Sequence, residues 1–287
     1  MKRIVSYTFA TLFLIVASSA QAQSRFDNVE VTAEQVNGNV HMLTGFGGNI
    51  GVSAGDDGIL IIDDQFAPLA EKIAAQLDKL GSDAPKYVIN THYHGDHTGS
   101  NAFFHSHKGA TVFAHSNVRV RLANDEEIEP EALPTVTYED GIKLYFNDDV
   151  LHVIHLPTGH TDGDSVVWFE KADVLHTGDL FFNGMFPYID LGAGGSVEGY
   201  MDSVRILLDK ISDETLIIPG HGKVSNKAEY AAFLAMIEET FAFVKAKKAE
   251  GMSVEDVVKS GLDEKWGTWN WNFITTERWI NTLYTDA

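Results

Sequence analysis

The stretch Thr91-His92-Tyr93-His94-Gly95-Asp96-His97-Thr98-Gly99 constrains this chain more than any other. It puts four side chains able to bind a divalent metal within six residues. It follows directly on Tyr87-Val88-Ile89-Asn90, a short apolar run that reads as a strand. In extended chain alternate side chains share a face, so His92 and His94 point the same way. Gly95 then permits a sharp turn that returns Asp96 and His97 towards the same point. Imidazole with carboxylate suits zinc and its divalent neighbours. An isolated His-x-His reads more simply as a solvated loop. Four such groups after a strand, with further candidates downstream, read as a metal site.

The chain opens on an address. Lys2 and Arg3 give a basic start, Ile4 to Ala17 is mostly apolar, and Ala20-Gln21-Ala22 offers a small-x-small cleavage site. The apolar stretch is short for a membrane span and polar Gln23-Ser24-Arg25 follows it. Residues 1–22 are therefore expected to be a signal peptide, cleaved after Ala22, with export to a bacterial periplasm and no stable membrane anchor afterwards. Residues 23–287 are long enough for one large domain with a buried core. The absence of cysteine excludes a disulfide framework, thiolate ligands and a cysteine nucleophile. Net charge is −20, and −22 once Lys2 and Arg3 are lost, which argues against a nucleic-acid partner. The densest basic run, Lys245-Ala246-Lys247-Lys248, sits on a helix that also carries acids and reads as a solvated face. No obligate protein partner is indicated, and a small molecule is the expected substrate.

Two halves of similar pattern follow. In the first, runs at 40–43, 50–53 and 58–63 read as strands with glycine-rich turns between them. A helix with Leu69, Ile73, Leu77 and Leu80 on one face comes next. The strand at 87–91, a short helix near 101–107, a strand at 111–114 and a helix around 118–123 complete that half. An acidic, proline-marked connection over 124–134 separates it from the second. There the strand candidates are 142–146, 150–156, 165–169, 174–177 and 215–218. A helix over 197–211 and a long one carrying Tyr230, Phe233, Ile237, Phe241 and Val244 supply apolar stripes. Strand clusters followed by helices predict two packed sheets with helices outside. Trp266, Trp269 and Trp271 concentrate in the tail, as a packed cap in preference to an aromatic platform for carbohydrate or membrane.

Three more turns end strands with a candidate ligand beside glycine: Gly159-His160, Gly178-Asp179 and Gly220-His221-Gly222. With these residues the chain resembles the metallo-β-lactamase superfamily across essentially its whole length after residue 22. The motifs stand in order: Asp63 ending an early strand, His92-x-His94-x-Asp96-His97, His160, Asp179 and His221. The resemblance implies an α/β fold, a four-layer αβ/βα sandwich with a two-metal site between the sheets. It implies that His92, His94 and His160 hold one metal, that Asp96, His97 and His221 hold a second, and that Asp179 bridges them. Asp63 would be a structural aspartate that organises the ligand loop; a turn or salt-bridge role unrelated to the site is the alternative.

The expected cofactor is two zinc ions per chain, or another divalent metal. The expected activity is hydrolysis of an ester, lactone or amide-like bond by a metal-bridging hydroxide, with Asp96 orienting it and shuttling its proton. Well-known β-lactamases of this superfamily carry cysteine or no protein ligand where this chain has Asp179, so β-lactams are one candidate and not the default. Alternatives are an iron-dependent oxidoreductase or persulfide dioxygenase on the same scaffold, and a non-catalytic metal-binding protein. His41, His105, His107, His115, His152, His155 and His176 match no ligand motif and are expected in supporting or core roles. The loop Phe181 to Tyr188 is the expected substrate rim, with Tyr188 or Asn183 as a donor to a developing oxyanion.

Overall fold

The apolar alternation of the first half builds one sheet and that of the second half builds another. The computed structural model describes residues 25–156 and 158–287, so the expected signal peptide lies outside the described residues. The first sheet has seven strands in chain order: β1 (Thr32–Asn37), β2 (Val40–Thr44), β3 (Ile50–Gly55), β4 (Gly58–Ile62), β5 (Tyr87–Ile89), β6 (Thr111–His115) and β7 (Val136–Tyr138). The second has six: β8 (Gly141–Phe146), β9 (Asp149–His155), β10 (Ser165–Phe169), β11 (Val174–His176), β12 (Leu216–Ile218) and β13 (Ser225–Asn226), ordered β13-β12-β11-β10-β9-β8.

Strands β1 to β4 pair antiparallel, whereas β4 to β7 pair parallel through helical crossovers. The crossover helices are α1 (Ala70–Leu80), α2 (Gly95–Thr98), α3 (Asn101–Lys108) and α4 (Ser116–Ala123). Helices α5 (Val197–Lys210), α6 (Lys227–Ala249), α7 (Val254–Ser260) and α8 (Thr276–Asp286) cover the second sheet. The period of two then sorts side chains to opposite faces. Leu60 and Ile62 point between the sheets, against Leu151, Val153, Val167 and Phe169. Ile59 and Ile61 point outward, packing with Ile73 and Leu77 of α1. Helix, sheet, sheet and helix are therefore four layers, the expected αβ/βα sandwich.

The ligand-bearing loops leave the carboxyl ends of strands. Asp63 follows β4, His92 follows β5, His160 follows β9, Asp179 follows β11 and His221 follows β12. Open α/β sheets place ligands at such ends, because successive loops there face one crevice. Six elements are additional to the expected ones: β1, β7, β13, α2, α7 and α8. Strand β7 stays with the first sheet by pairing with β6, so the passage between halves falls at Glu139-Asp140, later than the 124–134 connection.

Candidate metal centre

The seven sequence-predicted residues meet in one place. Ligand atoms of His92, His94, His160 and Asp179 lie within 4.8 Å of one another, and so do those of Asp96, His97 and His221. Asp179 stands between the two groups. Its Oδ1 is 3.1 Å from His97 Nε2 and 3.3 Å from His221 Nε2. Its Oδ2 is 3.5 Å from His160 Nε2 and 3.8 Å from His92 Nε2. One carboxylate thus turns a different oxygen to each group.

The ligand loop is held by the backbone that precedes it. Asp63 and Gln65 both adopt left-handed φ, 63° and 57°, which costs free energy in a non-glycine residue. Hydrogen bonds offset that strain. Asp63, fully buried, accepts from Thr91 N (2.7 Å), Thr91 Oγ1 (2.8 Å) and His97 Nδ1 (2.7 Å). The Gln65 amide donates to Gly48 O at 2.6 Å. The expected organising role of Asp63 is what this geometry describes.

Outer hydrogen bonds fix the outer proton on four of the five imidazoles. His97 Nδ1 donates to Asp63 and His160 Nδ1 donates to Tyr188 O at 2.7 Å. The Thr91 hydroxyl already donates to Asp63, so at 3.0 Å it accepts from His92 Nδ1. His94 Nε2 donates to Asp190 Oδ2 at 3.1 Å. In its neutral form each of these rings turns a lone pair inward: His92 Nε2, His94 Nδ1, His97 Nε2 and His160 Nε2. Two of these, His94 Nδ1 and His160 Nε2, stand only 2.8 Å apart. Facing lone pairs at that separation repel unless a cation lies between them. His92 Nε2, His97 Nε2 and Asp179 Oδ1 are moreover buried with no hydrogen-bond partner, a costly state for polar atoms unless something coordinates them. The donor set fits divalent metal.

The electrostatics agree. Burial pushes His160 down to about 3, against the pull of Asp179. Burial also lowers His92 well below the usual histidine value, with neighbouring His97 adding to it, so both rings stay neutral. Burial alone would raise Asp179, but His97, His221, His92 and His160 together hold it well below the carboxylate range. His97 runs the other way: burial would lower it, but Asp179, Asp96 and Asp63 raise it well above the usual histidine value, so a metal seated there would displace a proton from it.

Asp190 is the site residue that sequence reasoning missed. Its Oδ2 accepts from both His94 Nε2 and Tyr93 OH (2.7 Å), and its Oδ1 accepts from Ala193 N at 3.1 Å. Behind it, the Arg121 guanidinium lies 5.4 Å from the Tyr93 ring and grips Asp162 through two hydrogen bonds. Asp190 follows no strand and flanks no motif, so nothing local marks it. The Asp179 turn is anchored from outside by Tyr200 OH, which donates to Asp179 O at 2.6 Å.

A cavity of about 230 Å³ opens over the cluster, lined by His94, Asp96, Asp179 and His221 with Phe66, Phe182, Tyr188, Trp271 and Phe273. The expected substrate rim is thus only partly what it seemed. Phe182 and Tyr188 line the cavity, but Phe181 and Phe186 are buried in the core under the helices. Asn183 lies outside the lining and donates to Lys223 O at 3.2 Å instead. The tail does pack as a cap, with Trp269 near Phe233, yet Trp271 reaches into the cavity wall. A larger hollow of about 760 Å³ lies beyond Gly47 and Gly222, lined by Thr32, Glu34, Met42 and Lys223 among others. It contains none of the seven imidazole and carboxylate groups, so the chemistry belongs to the smaller cavity. Of the surplus histidines, His176 is buried beneath the site and faces Asn49 O at 3.3 Å, while His115 and His155 stack on each other 3.7 Å apart.

A His/Asp cluster at the strand ends of a two-sheet sandwich defines a metal-dependent hydrolase. The sequence profile of the metallo-beta-lactamase superfamily matches residues 43–221, and the chain belongs to that superfamily. It is similar to a hydroxyacylglutathione hydrolase from Methylococcus capsulatus (strain ATCC 33009 / NCIMB 11132 / Bath), with 27% identity over 70% of this chain and 72% of the relative. It is also similar to a type 2 metallo-beta-lactamase from Bacillus sp. (strain 170), with 26% identity over 78% of this chain and 91% of the relative. Among solved structures, the DIM-1 metallo-beta-lactamase shares the fold with a TM-score of 0.63 at 20% identity, covering 74% of this chain and 99% of that one.

Proposed function

We propose that residues 23–287 form one exported, dinuclear zinc hydrolase domain acting on an ester, lactone or amide-like bond of a small molecule, β-lactams being one candidate. The observation that carries this reading is the division of Asp179, one oxygen facing His97 and His221 and the other facing His160 and His92. His92, His94 and His160 would hold one ion, Asp96, His97 and His221 the other, and Asp179 would be shared. When bound, such ions supply Lewis acidity towards the substrate oxygen and bring the pKa of a water near neutrality.

The chain's own groups would do the rest. Asp96 is half-buried at the cavity floor, with Oδ2 3.4 Å from His221 and 3.7 Å from His97. From there its carboxylate would orient the attacking water, accept its proton and return it to the leaving group. Tyr188 lines the same cavity, and its hydroxyl would donate to the oxygen on which charge develops. Aromatic walls exclude bulk water and strengthen these interactions. Among the described residues no lysine or arginine stands in the lining beside the cluster, which favours an uncharged reacting centre over a phosphodiester.

Turnover of a chromogenic cephalosporin, a lactone, a thioester and a phosphodiester, each with and without chelator, tests the reading alongside elemental analysis. Two zinc ions per chain and chelator-sensitive turnover of an acyl substrate are expected. Asp96→Asn should lower kcat by about 10²–10⁴ while most of the metal is retained. A single iron per chain, or full activity in that variant, would contradict the proposal.

A further inference from the structure

One wall of the metal cavity comes from residues that the family profile does not reach. Trp271 and Phe273 lie beyond its end at residue 221, and with Phe66, Phe182 and Tyr188 they make half of the cavity lining aromatic. Their segment is stitched in place rather than draped. Phe186 N donates to Trp269 O at 2.8 Å, Trp271 Nε1 donates to Phe186 O at 2.9 Å, and Trp271 N donates to Ile274 O at 3.1 Å. With its single side-chain donor satisfied, Trp271 has only its ring to offer a ligand. Phe273, 47% exposed, lies 5.5 Å from the Trp271 ring and 5.4 Å from Tyr188. Phe273 and Trp271 thus carry the aromatic wall of the cavity out to its rim.

At the rim sits a cation without a carboxylate. The Arg278 guanidinium lies 4.2 Å above the Phe273 ring and 5.1 Å from Tyr188, with one hydrogen bond to Phe273 O at 3.1 Å. Arg121 and Arg205 each form ion pairs with acidic side chains, whereas Arg278, like Arg25 and Arg119, forms none among the described residues. In a chain of net charge −20 an arginine held by two rings and one backbone carbonyl, next to a cavity, keeps the rest of its donor fork for a ligand.

We infer that the cavity selects acyl compounds carrying an aromatic group with a carboxylate a few atoms away, the ring among Trp271, Phe273 and Tyr188 and the carboxylate on Arg278. Cavities of about 150 Å³ accept a benzene ring, so 230 Å³ leaves space for the ring and a short linker to the reacting bond. The inference rests on the hydrolase reading above for where the bond is cut, and it names that site's substrate class.

Isothermal titration of the zinc-loaded protein with phenylacetylglycine and with its neutral analogue phenylacetylglycinamide tests it. The acid should bind about five- to tenfold more tightly than the amide. Arg278→Ala should bring the two Kd values together, Arg278→Lys should restore part of the difference, and Trp271→Ala should weaken both ligands. Equal affinities in the unsubstituted protein, no binding of either, or a preference for the acid that survives Arg278→Ala would overturn the inference; in the last case the metals hold the carboxylate. The expected pattern without turnover of any acyl substrate would remove the hydrolase reading and keep this one. Turnover with equal affinities would do the reverse.

Discussion

Asp190 does for His94 what Asp63 does for His97: a carboxylate accepts the outer N–H and turns the other ring nitrogen towards the cluster. Its own charge is secured in turn, since the hydrogen bond from His94 and then that from Tyr93 hold its carboxyl below the usual range in spite of burial. Outer partners of this kind change metal affinity by about 10–100-fold when removed. Asp190→Ala should therefore weaken zinc binding by about that factor, read by competition with a chromophoric chelator, while Tyr93→Phe, which removes only one of the two donors, should cost less. Equal affinity in Asp190→Ala would mean that His94 is oriented by packing alone. The residue scale also shows what was legible. The seven cluster residues announce themselves because each sits at a strand end beside glycine or within the His-x-His-x-Asp-His run. Asp190 and Arg278 carry no such local mark, and only the folded chain brings them to the site.

At the scale of elements, loops and helices set how closely these groups approach. Gly48 and Gly220 are the tightest points within the metal cluster. A Cβ on Gly48 would stand 2.2 Å from His97 Cε1, and one on Gly220 would stand 2.2 Å from Asp179 Oδ1. Neither ring nor carboxylate has room to retreat, so Gly48→Ala should lower zinc stoichiometry at the Asp96, His97 and His221 group, measured by elemental analysis, with the fold retained by circular dichroism. The tail obeys a different logic. Trp279 of α8 is fully buried and its Nε1 donates to Thr240 Oγ1 of α6 at 3.1 Å. Trp279→Ala should lower unfolding stability by about 3–5 kcal/mol in a denaturant titration, and by loosening the neighbouring segment it should also weaken aromatic ligands. Helix α8 buries Trp279, Ile280 and Leu283 on one face, a helical spacing present in the sequence but overshadowed by the tryptophans before it. Strand β1 was illegible for a better reason: five of its six residues are exposed, so no apolar alternation marks it. Strand β7 is only three residues, just after the acidic, proline-marked connection, too short to show an alternation, and pairing with β6 makes it a strand.

For the whole molecule, the cluster acts between the two halves. His92, His94, Asp96 and His97 come from the connection leaving the first sheet, whereas His160, Asp179 and His221 come from the second. Each of the two groups mixes residues from both halves, so any ion held there also ties the sheets together. The apolar layer between the sheets, including Leu60, Ile62, Val153 and Phe169, does not depend on that tie. The metal-free protein should accordingly stay folded but less stable. A ligand bound only by the folded state adds about 2.7 kcal/mol when its free concentration is a hundred times its Kd. Chelation should therefore lower the denaturation midpoint while leaving far-ultraviolet circular dichroism unchanged at 25 °C, and zinc restored to that excess should recover a stabilisation of about that size per independent ion. Asp179→Asn, which keeps the shape but removes the shared charge, should lose most of the zinc-dependent increment in the same titration. A chelated protein as stable as the zinc-loaded one would show that the ions do not join the halves, and that the repulsion between His94 Nδ1 and His160 Nε2 is relieved some other way.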